Sequence, residues 1–443
     1  MKRSVLIIIV LVALLLLGTP AIIGWIAERS IDEGMEVAKE QPSDVTISEE
    51  RFDRGWFSSE GRHRFELNNP EMFPQMSMFA DRSGYPNPPA LIIDSTLDHG
   101  IIPVTSMQRH DGSPAPGLGQ MTAKLSFDPG NGELVELPGV ITGRVGLTGT
   151  TTGTMTVEAG EWSDGENQLE WSNAVIDFSA DPTGTVVDVS GFIEPMRLAY
   201  PGGGAEIGRI TVDVSQKGEL HGLMVGEASM TTERITARDS YGIQTGVGSF
   251  SLDARSAEED AQLTGQLSMA FTEFIAPAMG AVDMQMYVSF ANIDAESFAA
   301  LQDAYQAALE IMPPDRAWQA LYPDMEAELQ RFFAAGPELR IDKFALELPV
   351  GTITQDFELR VPEQGDGDAF SWPGLLLKAE ASMNFSVPAP VFEMIKAMQP
   401  EAETLIAMGF VVQDGDNFVS SIQYAKGLVT VNGLPMPVPL PGM

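Results

Sequence analysis

The feature that most constrains this chain is an uncharged apolar run near its amino end, Val5 to Ala27. A helix rises about 1.5 Å per residue, so this run is long enough to cross a bilayer core of about 30 Å. Lys2 and Arg3 precede the run, and a mixed, mainly acidic segment follows it. Because basic flanks stay in the cytoplasm, we expect residues 1–27 to form a single-pass transmembrane anchor, with the bulk of the chain outside the cytoplasm.

A cleaved secretory signal peptide is the alternative interpretation of this segment. Its apolar core would be Val5 to Leu17, and its exit would be the sequence from Gly18 to Ala21. Apolar residues resume at Ile22, however, and no small-x-small cleavage site ends the run. The length of the span and its flanks therefore favour a retained signal-anchor.

The charge of the chain excludes one broad class of partner. Asp and Glu number 62 against 26 for Lys and Arg, which gives a formal net charge of −36. Such an acidic surface repels phosphate backbones, and we predict no nucleic-acid partner. The acidic residues and the four histidines are dispersed rather than set at metal-ligand spacing, so we predict no metal and no cofactor. The absence of cysteine excludes disulfides and thiol catalysis.

Alternating apolar and polar residues predict a mainly β fold with some α, of the α+β class. The alternation is nearly continuous from Val140 to Ile293, and it is clearest in residues 263–271 and 282–290. Turn sequences such as Asp181 to Gly184 separate the runs. Period-two strands at short intervals are typical of a large antiparallel meander with one buried face.

Helical patterns interrupt the β pattern twice. Asp294 has the side chain of an amino-terminal cap, and the insert that follows it stops near Gly336. Leu377 to Val387 alternates as a strand before a second helical stretch, which is broken near Pro400. The predicted order is an anchor (1–27), an antiparallel β region (28–293), a helical insert (294–340) and a C-terminal β region (341–443) with a helical stretch (391–409) and a final hairpin.

Arg54, Gly55, Trp56 and Phe57 form a short motif in which a glycine precedes two bulky aromatics. One interpretation is a binding site that uses Arg54 and Trp56. The other, which we favour, is a backbone bend at Gly55 that lets both aromatics enter the core from consecutive positions.

Asp98, His99 and Gly100 form a second motif. A catalytic triad of His99 with Ser95 and Asp98 is excluded, because adjacent residues of a strand point to opposite faces. We therefore interpret the motif as a turn whose geometry Asp98 and Gly100 supply.

The last motif lies at the end of the chain, where two short strands follow each other. Tyr424 precedes a turn that ends in Gly427, and a second turn signal follows at Asn432 and Gly433. A glycine after a residue that tolerates positive φ is typical of a tight hairpin turn.

Three stretches together resemble the YdgA-like family of bacterial membrane-anchored proteins. They are residues 54–59, residues 93–100 with Pro103, and residues 421–427 with the Asn432-Gly433 turn. The resemblance extends over the whole architecture and implies an inner-membrane protein with its bulk in the periplasm. It implies no catalytic residue. The anchor and long β region are also loosely similar to AsmA-type envelope proteins that handle lipids, an analogy of fold alone.

The sequence leaves two candidate functions of different classes, a non-enzymatic binding protein and an enzyme. The sequence has no G-x-S-x-G, phosphate loop or dinucleotide fingerprint, which favours a non-enzymatic protein. The helices are too few to cover the apolar face of so long a β region, so either the sheet folds over on itself or part of an apolar groove stays open. An open groove would bind lipid or a partner protein of the cell envelope. The alternative is a periplasmic hydrolase with an unrecognised site. An open apolar groove would favour the first function, and a closed pocket with converging carboxylates or histidine the second.

Overall fold

The computed structural model describes residues 46–66, 87–99, 117–163, 165–221, 223–238, 241–276, 280–309, 325–363, 371–399 and 402–436. The predicted anchor (1–27) and Gly100 lie outside these ranges. Strands make up 64% of the described residues, which confirms a mainly β chain with few helices. In the described ranges, no helix has the length and apolar character needed to cross a membrane.

The chain forms two compact units, one ending at Leu198 and the other beginning at Ala199. The strands of the first unit are β1 Thr46–Arg54, β2 Ser58–Glu66, β3 Ala90–His99, β4 Gly119–Asp128, β5 Val135–Val145, β6 Thr151–Val157, β7 Gly160–Ser163, β8 Gln168–Trp171, β9 Ala174–Ala180 and β10 Val187–Ile193. Strands β1 to β6 pair antiparallel in chain order, β6 pairs with β9, and β9 pairs with β10. Strands β7 and β8 form a separate hairpin.

The division between the units falls inside β11 Met196–Tyr200. The strands that follow are β12 Gly203–Ile207, β13 Ile210–Leu220, β14 Leu223–Thr232, β15 Ile235–Arg238, β16 Gln244–Val247, β17 Ser249–Glu259, β18 Gln262–Ala276, β19 Gly280–Asp294, β20 Glu338–Leu348, β21 Gly351–Arg360, β22 Glu380–Pro388, β23 Val412–Asp414, β24 Asn417–Ala425, β25 Leu428–Val431 and β26 Leu434–Met436. Most of them form one antiparallel series in chain order: β13, β14, β17, β18, β19, β20, β21, β22, β24, β25 and β26.

Within the described ranges, five helices lie between these strands: α1 Ala295–Leu309, α2 Glu326–Ala334, α3 Trp372–Lys378, α4 Ala389–Met398 and α5 Ala402–Ala407. The predicted cap is confirmed, because Asp294 Oδ1 accepts a hydrogen bond of 2.9 Å from the backbone N–H of Ser297. The chain leaves α2 through Gly336, whose φ of 75° is a left-handed conformation that favours glycine. Helices α4 and α5 overlap the helical stretch expected at 391–409, with α4 beginning at Ala389 and α5 ending at Ala407.

The strand predicted from Leu377 to Val387 is wrong at its beginning. Leu377 belongs to α3, and β22 starts only at Glu380. The helix forms because the Ser371 hydroxyl accepts a hydrogen bond from the Gly374 N–H and because a proline in the first turn suits a helix start. Local capping therefore overrides the period-two pattern at Leu377.

Candidate functional site

The pairing register of the second unit aligns apolar side chains in rows across the sheet. Directly paired residues of antiparallel strands lie on the same face, about 5 Å apart. The first row comprises Val212, Met230, Leu252, Met269, Met286, Phe344, Gln355 and Phe385. The second row comprises Val214, Ala228, Ala254, Leu267, Val288, Ile341, Phe357, Met383, Ile422 and Val431.

The opposite face of the same strands is polar. On each strand, the residue next to the second-row residue points to the opposite face of the sheet. These neighbouring residues form a row without any large apolar side chain. It comprises Ser215, Glu227, Arg255, Gln266, Ser289, Arg340, Glu358, Ser382, Gln423 and Thr430. The sheet is therefore amphipathic, with one apolar face and one charged face.

The middle of the apolar face is only half-buried. Of the residues in the two apolar rows, Val431 alone is fully buried, with 2% of its surface exposed. Nearly all the others are intermediate in exposure, including large side chains such as Leu267, Val288 and Phe357. Side chains in a closed core would be almost completely buried.

Helices cover the two edges of this apolar face. At one edge, Val391 and Phe392 of α4 pack with Val387 and Phe418, and Phe385 of the first row lies against this cluster. At the other edge, Phe332 of α2 packs against Leu263, which shares a face with Leu267 because residues two apart in a strand point the same way. Leu375 of α3 packs with Val361 in a third cluster.

The two apolar rows thus form one continuous, partly exposed apolar surface between the helix-covered edges, and we call these residues the apolar trough. The second row crosses ten strands. At about 4.8 Å between strands, its length is about 40 Å. The rows lie two residues apart, or about 7 Å, along each strand except β20, where an irregularity in the pairing separates Ile341 and Phe344 by three residues.

The floor of the apolar trough is chemically soft and almost free of polar groups. Met230, Met269, Met286 and Met383 supply flexible thioethers that adapt to irregular apolar ligands. The single polar side chain of the floor, Gln355, donates a hydrogen bond of 3.8 Å to the Met383 sulfur. The trough is therefore suited to an apolar ligand rather than to one with many hydrogen-bonding groups.

Two depressions of the described residues have charged side chains of both signs in their linings. One, of about 810 Å³, lies on the charged face of the second unit, where Lys217 pairs with Glu227 at 3.4 Å and Arg340 with Glu338 at 3.1 Å. The other, of about 710 Å³, lies in the first unit and includes the Arg62–Asp94 ion pair, at 2.6 Å.

A buried serine–histidine pair lies in the first unit. Ser59 Oγ is 2.8 Å from His99 Nε2, and the two residues are 2% and 1% exposed. The backbone N–H of His99 donates a hydrogen bond of 2.9 Å to the backbone carbonyl of Phe57. The predicted turn does not include Asp98 or His99, because both are buried residues at the end of β3, where they pair with neighbouring strands. Gly100, the other residue expected to shape that turn, lies outside the described residues.

The first motif forms the tip of the β1–β2 hairpin. The Gly55 N–H donates to the Ser58 carbonyl at 2.8 Å, and a Cβ on Gly55 would lie 2.6 Å from that oxygen. The expectation that the aromatics enter the core is wrong, since Trp56 is 58% and Phe57 39% exposed. Both follow Gly55 in the loop between β1 and β2. Arg54, the last residue of β1, is exposed as well.

The residues of the final hairpin have structural roles. Lys426 and Gly427 have φ values of 53° and 76°, and Asn432 and Gly433 have 52° and 78°, as two tight hairpin turns require. The Tyr424 hydroxyl donates a hydrogen bond to the Leu376 carbonyl of α3.

Asn432 also joins the hairpin to the end of α5. Its Oδ1 accepts from the Ser421 N–H at 2.9 Å, and its Nδ2 donates to the Gly409 carbonyl at 2.8 Å and the Phe410 carbonyl at 3.2 Å. These bonds fix the edge of the apolar trough at β24 and β25.

Arg64 and Asp128 form an ion pair in the first unit. Arg64 Nη1 lies 2.8 Å from Asp128 Oδ2, and only 6% of the Asp128 side chain is exposed. Burial alone would raise the pKa of Asp128, but hydrogen bonds from Arg64 and from the Gly130 N–H outweigh it and hold the pKa below the usual value. The pair is structural, because it ties β2 to the end of β4.

No group of three or more metal-ligating side chains is found within the part of the chain that the structure describes.

The apolar rows could be predicted only in part, since the alternations in β18 and β19 are visible in the sequence but their register with other strands is not. The Ser59–His99 contact joins residues 40 positions apart and gives no local sequence signal.

Comparison with known proteins places the chain in a family. A family model described as a bacterial protein of unknown function, DUF945, matches residues 1–439. No curated protein and no solved structure matches the chain. Because the family model covers nearly the whole sequence, the chain belongs to the DUF945 family of bacterial proteins.

Proposed function

We propose that this protein is a non-enzymatic, YdgA-like component of the bacterial cell envelope that holds lipid in its apolar trough. In this proposal, residues 1–27 anchor the chain in the inner membrane by a single span, and the remainder lies in the periplasm. The uncharged run from Val5 to Ala27 and its basic flank support this topology.

The observation that carries the proposal is the half-buried state of two apolar rows across the sheet. Apolar surface left in water is unfavourable, and covering it yields about 2.5 kcal/mol for each 100 Å². A contiguous exposed apolar surface rimmed by other structure is typical of a binding groove. Leu267, Val288 and Phe357 lie in the middle of this surface, away from the helix-covered edges.

The chemistry of the trough favours acyl chains over an extended peptide. A peptide lying on the floor would bury backbone N–H and C=O groups without partners, which costs several kcal/mol for the set. An acyl chain has no such groups, and the methionines of the floor can adapt to its kinks. We therefore propose lipid as the ligand and a partner protein as the weaker alternative.

The proposal is tested by photocrosslinking at two adjacent positions of β18. A photoreactive amino acid is placed at Leu267, on the trough floor, or at Gln266, on the charged face of the same strand. The full chain is irradiated in growing cells, purified and analysed by intact mass. We expect a lipid adduct at position 267 and none at 266.

Three results would contradict lipid binding in the trough. They are the absence of lipid adducts at position 267, equal lipid labelling at both positions, and an adduct at position 267 that is a protein. The two variants differ only in the face on which the probe lies, so general membrane proximity labels both alike.

A hydrolase is the second candidate, and the Ser59–His99 contact favours it. A serine within hydrogen-bond reach of a histidine is the core of a nucleophilic site. Against it, both side chains are almost fully buried, and Asp98 points to the other face of β3. Labelling of the wild-type chain by a fluorophosphonate, abolished in Ser59→Ala, would support this candidate; we expect no labelling of either.

A further inference from the structure

The sequence contains two asparagine–glycine pairs, Asn131–Gly132 and Asn432–Gly433. Asparagine is most prone to deamidation when glycine follows it, because glycine has no Cβ to hinder attack by its backbone nitrogen on the asparagine side chain. The two pairs share this chemistry, but the fold gives them opposite surroundings.

Asn131 lies in the loop between β4 and β5. Both Asn131 and Gly132 are exposed, and Gly132 has a φ of 84° with no atom within 4 Å of the position that a Cβ would occupy. Water therefore reaches the pair freely. The Asn131 Nδ2 group has no hydrogen-bond partner among the described residues, so no contact there retains the nitrogen that leaves in deamidation.

The groups around Asn131 are placed to assist ring closure. Asn131 Oδ1 accepts a hydrogen bond of 2.9 Å from the Glu133 N–H. Negative charge develops on this oxygen when a nitrogen adds to the side-chain carbon, and a donor already in position stabilises that charge. Burial raises the pKa of Asp128, hydrogen bonds led by that from Arg64 lower it, and the Gly132 N–H is one of these donors. A carboxylate therefore lies near the proton that must leave the attacking nitrogen.

The side chain of Asn432 is held in place instead. Its Nδ2 donates to the Gly409 and Phe410 carbonyls, at 2.8 Å and 3.2 Å, and its Oδ1 accepts from the Ser421 N–H. All three partners belong to distant parts of the chain, so the side chain cannot turn toward Gly433 without breaking these bonds. Asn432 is also only partly exposed. The fold therefore protects this second pair.

We infer that Asn131 is a site of self-modification, at which the folded chain converts asparagine into isoaspartate and aspartate. The Gly132 nitrogen bonds to Asn131 Cγ, the Cγ–Nδ2 bond breaks, and the proton from the attacking nitrogen leaves with Nδ2 as ammonia. Water then opens the cyclic imide at either of its carbonyl carbons. The reaction needs water as its only co-reactant.

The modification changes a loop beside a buried ion pair. Either product adds one negative charge three residues after Asp128, which pairs with Arg64. Isoaspartate also lengthens the backbone of the loop by one carbon atom. The inference is independent of the proposed function, because Asn131 lies in the first unit and the apolar trough in the second.

The test follows both asparagines of the full chain by peptide mapping, after incubation at neutral pH in heavy-oxygen water. Each hydrolysed imide takes up one heavy oxygen, which distinguishes conversion during the incubation from conversion during digestion. A parallel sample is kept unfolded in urea, where both pairs react without help or hindrance from the fold. We expect Asn131 to convert in the folded chain at least as fast as in urea. Asn432 should convert about a hundredfold more slowly in the folded chain than in urea, because its reaction requires local opening.

Two variants at position 133 test the assistance from its backbone N–H. Glu133→Pro removes the donor and should slow the conversion of Asn131 by about tenfold, whereas Glu133→Ala keeps the donor and should leave the rate unchanged. Equal rates for these two variants would overturn the assistance by the loop. An Asn131 that persists in the folded chain but converts in urea would overturn the inference itself. Equal rates at Asn131 and Asn432 in the folded chain would overturn it as well.

Discussion

At the residue scale, the carboxylate of Asp128 is the side-chain group whose contribution to the free energy of unfolding is easiest to predict. The side chain is almost completely buried, and its pKa is lowered because Arg64 and Gly130 donate hydrogen bonds to the ionised form. We expect Asp128→Asn to lower the free energy of unfolding at pH 7 by about 2–4 kcal/mol, since it removes the buried carboxylate that pairs with Arg64 and leaves Arg64 only its longer contacts to Glu66 and the Pro88 carbonyl. Urea unfolding of the full chain measures this difference.

The same pair gives a pH dependence with a definite sign. A carboxyl whose pKa is lower in the folded than in the unfolded state adds stability above its unfolded pKa of about 4. That contribution is lost as the pH falls through the folded value. The difference in unfolding free energy between wild type and Asp128→Asn should therefore become smaller below about pH 4. An equal gap at pH 7 and pH 3, or an equal effect of the exposed control Glu133→Gln, would contradict this role.

Gly55 is a second residue whose replacement has a predictable cost. A side chain there would press against the Ser58 carbonyl, so Gly55→Val should destabilise the chain by about 1–3 kcal/mol. The next residue, Trp56, should be much less sensitive to replacement. Trp56→Ala removes a mainly exposed ring and should change stability by less than about 1 kcal/mol. Equal melting temperatures for Gly55→Val and wild type would show that the hairpin tip tolerates a different backbone path.

At the element scale, the end of the chain depends on one amide. Asn432 makes three hydrogen bonds and adopts a positive φ that asparagine tolerates well. We expect Asn432→Ala to cost about 2–4 kcal/mol of unfolding free energy. Asn432→Asp keeps the acceptor for the Ser421 N–H but sets a carboxylate oxygen against the Gly409 and Phe410 carbonyl oxygens, so it should destabilise the chain at least as much as Asn432→Ala does. An Asp variant as stable as wild type would contradict the assignment of these bonds.

The elements differ in how far the sequence predicts them. Strands β18 and β19 have strict alternation, and α1 has Asp294 as a cap, so local signals suffice. At Leu377 the alternation is accidental, and Ser371 with the following proline decides for a helix. The apolar trough depends on register between residues as distant as Val214 and Val431, and on irregularities in pairing such as those at Gln216/Gly218 and Ile341/Phe344. The register and the irregularities are set by pairing between strands and leave no pattern in the sequence of any one strand.

At the scale of the whole molecule, the prediction concerns topology. A single span with Lys2 and Arg3 in the cytoplasm puts the carboxyl end in the periplasm. A reporter enzyme that is active only in the periplasm, fused after Met443, should therefore be active. A cytoplasmic reporter at the same junction should be inactive, and its strong activity would contradict the topology. Release of the chain as a free periplasmic species would show instead that residues 1–27 are cleaved.

The pairing order of the second unit has a consequence for how the chain folds. From β17 to β22 each strand pairs with the next one in sequence, and the β17–β18, β18–β19 and β20–β21 pairings close loops of two or three residues. Short loops cost little entropy and favour fast folding. Each strand can dock on the one before it as soon as it is available, without waiting for the carboxyl end. A polypeptide that is threaded outward amino end first can therefore build this sheet while it is still emerging.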